Sequence, residues 1–458
     1  MSALAMEKEQ LNTVVLRPVL GVPRTYYVVM AVLLGLVVLA FVAWVNQLMN
    51  GLAVTGMWDR VSWGLYITNF VFFIGISHAG TLISAILRVT QAGWRRPITR
   101  MAEVITAVAL LTGAAMPVVD LGRPDRIPNL ILHGQIGSPI VWDLISVTTY
   151  LTASLIYLYT PMIPDLARCR DRLRGLVPYP QWKVYDILSL GWQNTPEQRR
   201  RLSRALNIMM ILIIPIAVSV HTVVSWIFAM TLRAGWDSTI FGPYFVVGAI
   251  FSGTAAIITA MAVFRRIFHL EQYITIKQFR LLGYLLGALA AIYLYFTLAE
   301  YLTTGYKLEE GEKPLLEELM LGRFAPFFWS FAIGGTLIPL FLVFFPRTQT
   351  VPWIVAASVL VNIGMWLKRF VIVIPSMGVP LMPYEWATYH PSWVEVSITV
   401  GAFAGFMLLF ALFARLFPIV SIWEVEEMLE EGGEEAAEQP RPVAAPAFSF
   451  AEGGEGGA

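Results

Sequence analysis

Charge is scarce in this chain: Asp, Glu, Lys and Arg make up 14% of its 458 residues, against roughly 25% in an ordinary soluble domain. With 57% hydrophobic residues and a mean hydropathy of +0.66, that scarcity excludes a soluble globular protein. Neither sign of charge prevails. Thirty-two Lys and Arg against 31 Asp and Glu leave a formal net charge of +1, so no basic field exists to gather nucleic acid. Cysteine is nearly absent. Cys169 alone cannot close an intramolecular disulfide, nor supply a zinc or iron–sulfur site that needs several thiolates, so no metal centre is expected on this chain. Residues 1–20 carry Glu7, Lys8, Glu9 and Arg17 and lack the apolar core and cleavage site of a secretory signal. The first hydrophobic run is therefore expected to stay in the membrane.

What the sequence has in abundance is long apolar runs. A crossing helix needs about 20 residues, at about 1.5 Å each through a core about 30 Å thick. Ten segments qualify, near 26–45, 61–87, 98–119, 139–160, 205–230, 243–268, 281–303, 325–345, 351–374 and 395–417. They lack the period-2 alternation of a membrane barrel, which leaves an all-α polytopic protein. Most Lys and Arg fall on one side if the N-terminus is cytoplasmic, which the positive-inside bias favours. The Arg-rich loop 161–204 contributes most and reads as a topology anchor on anionic headgroups. Beyond Trp423 the chain turns Glu-rich, then Pro-, Ala- and Gly-rich, which predicts a disordered cytoplasmic tail over 424–458.

Ionisable groups inside spans are expensive, about 2.5 to 3.5 kcal/mol at a helix centre on insertion scales, so each is a functional candidate. His78 lies deep in the second span, Glu103 in the third, His221 in the fifth and Glu300 near the outer end of the seventh. Lys368 and Arg369, late in the ninth, are expected to snorkel outward. Asp120 and Asp143 mark the outer ends of the third and fourth spans. Glu103, His78 and the two aspartates resemble rungs of a proton relay, although a lone intramembrane His more often bonds a neighbouring helix. His78 and His221 also suggest a bis-histidine haem, but counting residues from the span ends sets them at different depths, which argues against one shared iron.

One stretch carries more specific information. From Asp120 the chain reads Asp-Leu-Gly-Arg-Pro-Asp-Arg-Ile-Pro-Asn-Leu, followed by Gly137-Ser-Pro-Ile-Val-Trp142-Asp143. This resembles the NrfD-like (polysulfide reductase membrane subunit) family, in which a DLGRP segment joins the third and fourth helices. Trp63-Gly-Leu-Tyr66-Ile is similar to the family's second-helix signature. Ten spans, Gly75-Ile-Ser-His78-Ala-Gly80, Ser219 to Trp226 and Gly235 to Phe245 resemble the quinol-site membrane subunits of bacterial alternative complex III. Asp237 stands where that group is expected to carry His, and Lys368 where it is expected to carry an acid.

The resemblance implies two four-helix bundles, spans two to five and six to nine, with two flanking helices. Along the chain this divides a cytoplasmic segment 1–25, a first span and outer loop 26–60, a quinol-site bundle 61–230, a second bundle 231–374, a tenth span 375–423 and the tail. It implies oxidation of menaquinol or ubiquinol near the periplasmic face of a bacterial inner membrane, with both termini cytoplasmic. His78 and Asp120 are the expected primary pair, with Arg123 and Asp143 as second choices; Trp142 and Tyr66 wall the head group unless they serve only an interfacial aromatic belt. Glu103, Arg88, His221, Asp237, Glu300 and Arg369 are proton-path candidates. Electrons would leave to a periplasmic iron–sulfur subunit, then to haem c subunits and a terminal oxidase or soluble carrier, beside a second NrfD-like membrane subunit and membrane lipids. Two rivals remain open: a transporter, which would favour broken half-helices, and a structural anchor without a quinone site.

Overall fold

The computed structural model describes residues 3–380 and 385–438, and these form helices joined by turns, with no strand among them. The first half contributes α1 (Ala3–Leu20), α2 (Arg24–Asn50), α3 (Leu65–Val89), α4 (Arg96–Asp120), α5 (Pro139–Tyr159), α6 (Ile163–Arg172) and α7 (Pro196–Ala229). The second contributes α8 (Phe241–Ile267), α9 (Ile276–Lys307), α10 (Ala325–Phe344), α11 (Val351–Gly378), α12 (Trp393–Leu416) and α13 (Ile422–Glu438). Nine helical runs among the described residues are long and apolar enough to cross a membrane. The remaining expected span falls on α3, of which Leu65–His78 is the apolar stretch.

Packing closes these helices into two rings. In the first, α3 lies on α4, α4 on α5, α5 on α7 and α7 back on α3; in the second, α8, α9, α10 and α11 close in the same way. The rings meet where α8 packs on α3 and α7, and α11 on α3. Helix α2 pairs with α12, which lies on α4. Lipid tails are as apolar as leucine, so such contacts rely on close approach and interhelical hydrogen bonds. Gly335 and Gly364 accordingly face each other between α10 and α11, leaving no room for a Cβ on either. The middle of α10, Ser330–Leu337, widens into a π-helix.

Two expectations change here. Helix α7 starts at Pro196 rather than near 205, because its first turns are Arg-rich and escape a search for apolar runs; Thr195 caps it with Gln198 in a capping box. The acidic segment after Trp423, expected to be disordered, forms α13 as far as Glu438 and packs on α1, α4 and α6; residues 439–458 lie outside the described residues. Its acids meet specific bases: Glu424 pairs with Arg88 at 3.4 Å and Arg95 at 3.3 Å, and Glu426 with Arg168 at 2.5 Å. Buried Asp165 of α6 accepts the leading N–H groups of Ile422 and Trp423, each at 3.1 Å, and so caps α13 from another helix.

Candidate functional site

The first bundle holds a histidine pair at its centre. His78 on α3 and His221 on α7 are fully buried, with ring centroids 4.1 Å apart, and Tyr150 on α5 lies 4.6 Å from His78. His78 Nδ1 lies 2.8 Å from the Ile74 carbonyl oxygen and Nε2 2.5 Å from that of Ala217 across the helix interface. Neither nitrogen of His221 has a partner among the described residues. The different depths expected for the two histidines, the ground for setting aside a shared iron, are thereby corrected: counting residues from the span ends presumed level ends and parallel axes. The two imidazoles lie in direct contact, their planes tilted by 49°, which leaves no room for a porphyrin plane between them.

His78 and Asp120, the expected primary pair, are not brought together. A Cβ on Gly80 would meet Ala102 and Thr106, which sets this level of α3 against the middle of α4, whereas His78 itself turns to α7 and α5; Asp120 ends α4 roughly 20 Å further along. Helix α4 runs unbroken through Pro117, which removes the break that could have reconciled the depths. At the Asp120 end, Asp120 and Asp143 each keep one buried carboxylate oxygen without a hydrogen-bond partner among the described residues. Buried Tyr66 donates to Gln47 Oε1 at 2.6 Å, and Gln47 donates to the Val119 carbonyl at 2.8 Å, which ties α2, α3 and α4 together beside Asp120. Trp142 gives its Nε1 hydrogen to the Ile136 carbonyl and meets Trp226 edge-on at 6.3 Å. Arg123 does not reach Asp120: it is exposed and pairs with Asp125 at 3.1 Å. That neighbour holds the Asp125 carboxyl below the usual carboxylate range.

The other candidates occupy both ends of the molecule. Buried Glu103 takes one hydrogen bond, from Ser84 at 3.4 Å, near the Arg88–Glu424 pair. In the second bundle, Glu300 accepts from Ser238 at 2.5 Å beside exposed Asp237. Lys368 and Arg369 do not snorkel. Both are buried, because α11 from Lys368 to Gly378 lies inside the protein; Lys368 donates to Tyr301 at 3.0 Å and lies over the rings of Tyr244, Tyr301 and Phe331. Arg369 lies over Phe245 at 5.0 Å, and Phe245 is 6.5 Å from His221, so Arg369 extends from the second bundle toward the histidine pair. A small cavity of about 30 Å³ borders Glu300, Lys368 and Glu312, room for about one water.

Sequence reasoning misses three groups. In the sequence Tyr150 looks like any interior aromatic. The Asp165–Arg100 pair, at 3.1 Å and fully buried, involves a segment whose composition reads as a cytoplasmic loop. Glu395 accepts from the Gly56 and Ser392 N–H groups and from the Tyr389 hydroxyl, and its only signal is the Ser392-x-x-Glu395 capping spacing. Asp237, Glu309 and Glu312 place carboxylate oxygens within 4.8 Å of one another at the surface, the one such group among the described residues.

Comparison with known proteins returns a consistent picture. Residues 53–380 match the family described as Polysulphide reductase, NrfD. The chain is 28% identical, over 89% of its length and 95% of the relative's, to a putative membrane subunit of dimethyl sulfoxide reductase from Halobacterium salinarum. It is 24% identical to an Hdr-like menaquinol oxidoreductase integral membrane subunit of Archaeoglobus fulgidus, over 89% and 96%. It is 22% identical to a menaquinone reductase integral membrane subunit of Nitratidesulfovibrio vulgaris, over 81% and 86%.

Proposed function

From the premise that this chain belongs to the polysulphide reductase NrfD family, we propose that it is the quinol-binding membrane subunit of a respiratory quinol-oxidising complex of the alternative complex III type. The functions named for two relatives, menaquinol oxidoreductase and menaquinone reductase, support a quinone as its substrate. Menaquinol and ubiquinol present the same two hydroxyls, and either would serve. The observation that carries the reading is that half-buried Asp120 and Asp143 each hold one buried carboxylate oxygen without a hydrogen-bond partner among the described residues.

A quinol gives up two electrons and two protons, so its hydroxyls need acceptors held at ring height. Asp120 and Asp143 accept a hydroxyl proton each, with Tyr66 fixed behind Asp120 and Trp142 beside Asp143. This moves the head group to the Asp120 end, the periplasmic side under the positive-inside orientation, and gives His78 a role below it and not in contact with it. The proton path proposed from the other end runs through Glu103, near Arg88, to His78 and His221, then by way of Arg369 and Lys368 to Glu300 and Asp237. Electrons leave to a periplasmic iron–sulfur subunit and on to haem c subunits and an oxidase or soluble carrier, beside a second NrfD-like subunit in the bacterial inner membrane.

The test is quinol oxidation by membranes carrying Asp120→Asn or Asp143→Asn, with assembly followed by the amount of intact complex. Loss of turnover with assembly preserved is expected. Full turnover in the double variant overturns the reading and leaves a structural anchor.

A further inference from the structure

Helix α7 is longer than the membrane requires. Its 34 residues extend about 51 Å at 1.5 Å each, against a hydrocarbon core of about 30 Å, so its first turns stand at or beyond headgroup level. Arg200, Arg204, Asn207, Ile208 and Ile211 follow one another at helical spacing on one face, and with Ser203 they line an open lateral groove of about 410 Å³. Chemistry changes along that face in one direction. Arg200, Ser203 and Arg204 come first, Asn207 next, then Ile208 and Ile211, which are 54% and 64% exposed.

The neighbouring bases are already engaged. Arg199 donates to Asn194 at 2.8 Å, Arg201 to Glu197 at 2.5 Å, and Arg168 pairs with Glu426. Arg200 and Arg204 make no ion pair among the described residues; Arg200 also borders an adjoining basin of about 740 Å³ lined by both signs of charge, Lys8, Arg168 and Arg199 with Asp171, Glu426, Glu427 and Glu430. The short helix Tyr179–Leu188, which packs on α6 and precedes α7 in the chain, carries Tyr179 and Trp182, with Arg174 over the Trp182 ring, as an interfacial aromatic pair does.

We propose that this groove binds one anionic phospholipid, its phosphate held by Arg200 and Arg204 with Ser203 and Asn207 as neutral donors, and an acyl chain laid along Ile208 and Ile211. A diffuse basic loop would attract such lipids without ordering one. Here cations and neutral donors on the outer turns give way to exposed aliphatics further in, in the order of a phospholipid's headgroup and acyl chain. A soluble anion would use only the first two.

The experiment is native mass spectrometry of the full-length protein reconstituted with equal phosphatidylglycerol and phosphatidylcholine. The unaltered protein retains phosphatidylglycerol in preference. Arg200→Gln/Arg204→Gln lowers that retention about tenfold, whereas Arg201→Gln, whose partner is Glu197, leaves it unchanged. Equal retention by the double variant overturns the proposal, as does an equal loss in Arg201→Gln. Displacement of the lipid by millimolar inorganic phosphate also overturns it, assigning the cations to a soluble anion. Should the double variant fail to fold, a salt titration of the unaltered protein reads the same contact: retained phosphatidylglycerol falls with ionic strength, and salt-independent retention overturns the proposal.

Discussion

The imidazole of His221 rests against that of His78, 4.1 Å between ring centroids, yet the two rings are held in opposite ways. His78 has a carbonyl oxygen at each nitrogen, and His221 has no partner at either among the described residues. A neutral imidazole donates through one nitrogen only, so both His78 contacts are hydrogen bonds only when the ring carries two protons. One of them crosses from α3 to α7, and its loss costs about 0.5–1.5 kcal/mol. His78→Leu is therefore expected to weaken the protein by that order, while His221→Leu, which removes a buried unpartnered group, is neutral or stabilising. Unfolding of the purified variants in mixed micelles decides, and a costlier His221→Leu would show that His221 has a partner in the membrane.

Asp165 carries the junction between α6 and α13. Its carboxylate takes Arg100 at 3.1 Å together with the Ile422 and Trp423 N–H groups, all out of water. Asp165→Ala leaves the Arg100 guanidinium buried without a counter-charge, a loss of about 3–5 kcal/mol for a buried pair broken on one side. The expected result is early release of α13, seen as faster protease cleavage within 422–438 than in the unaltered chain. Unchanged cleavage would mean that the Glu424 and Glu426 ion pairs suffice to hold the helix.

How far the sequence reaches depends on which physical quantity is asked of it. Apolar runs locate the helices, and the rarity of charge in lipid picks out His78, Glu103, His221 and Glu300 before any contact is known. Pairing is another matter. Whether His78 meets His221 or Asp120 depends on the offset and tilt of helices, which residue counting from uncertain ends does not fix. Lys368 and Arg369 escape it because hydropathy does not tell an interior stretch from a lipid-facing one: the second half of α11 is buried, so its cations find aromatic rings in place of the interface. Composition averages α13 into a tail and hides the placement of Glu424 and Glu426 opposite Arg88, Arg95 and Arg168.

Helices α3 and α4 approach tightly at Gly80. A Cβ on Gly80 would overlap the Ala102 carbonyl and the Thr106 hydroxyl of α4, so α3 and α4 can approach as they do only with glycine there. Gly80→Ala is expected to cost about 1–3 kcal/mol by overpacking and to lower quinol oxidation through displacement of α3. Gly93→Ala, with nothing within 4 Å of its Cβ, is the control and should match the unaltered protein. Equal melting temperatures for the two variants would count against so tight a contact.

A pH dependence follows from the acidic group outside the second bundle. Glu312 lies in the short helix Glu312–Met320, and partial burial, then the nearby Asp237 carboxylate, push its carboxyl above the ordinary range. An acid whose folded value is raised binds its proton more tightly in the folded chain than in the unfolded one. Its contribution is therefore fully present below the unfolded value, near pH 4.3 for Glu, and fades as pH climbs through the raised folded value. Glu312→Gln removes a charge that the fold resists, so the variant should equal the unaltered protein at pH 4 and exceed it in thermal stability at pH 8. Added salt should shrink that advantage by screening Asp237 from Glu312. A stability difference that stays flat between pH 4 and 8 would mean that the three carboxylates relax apart and do not burden one another.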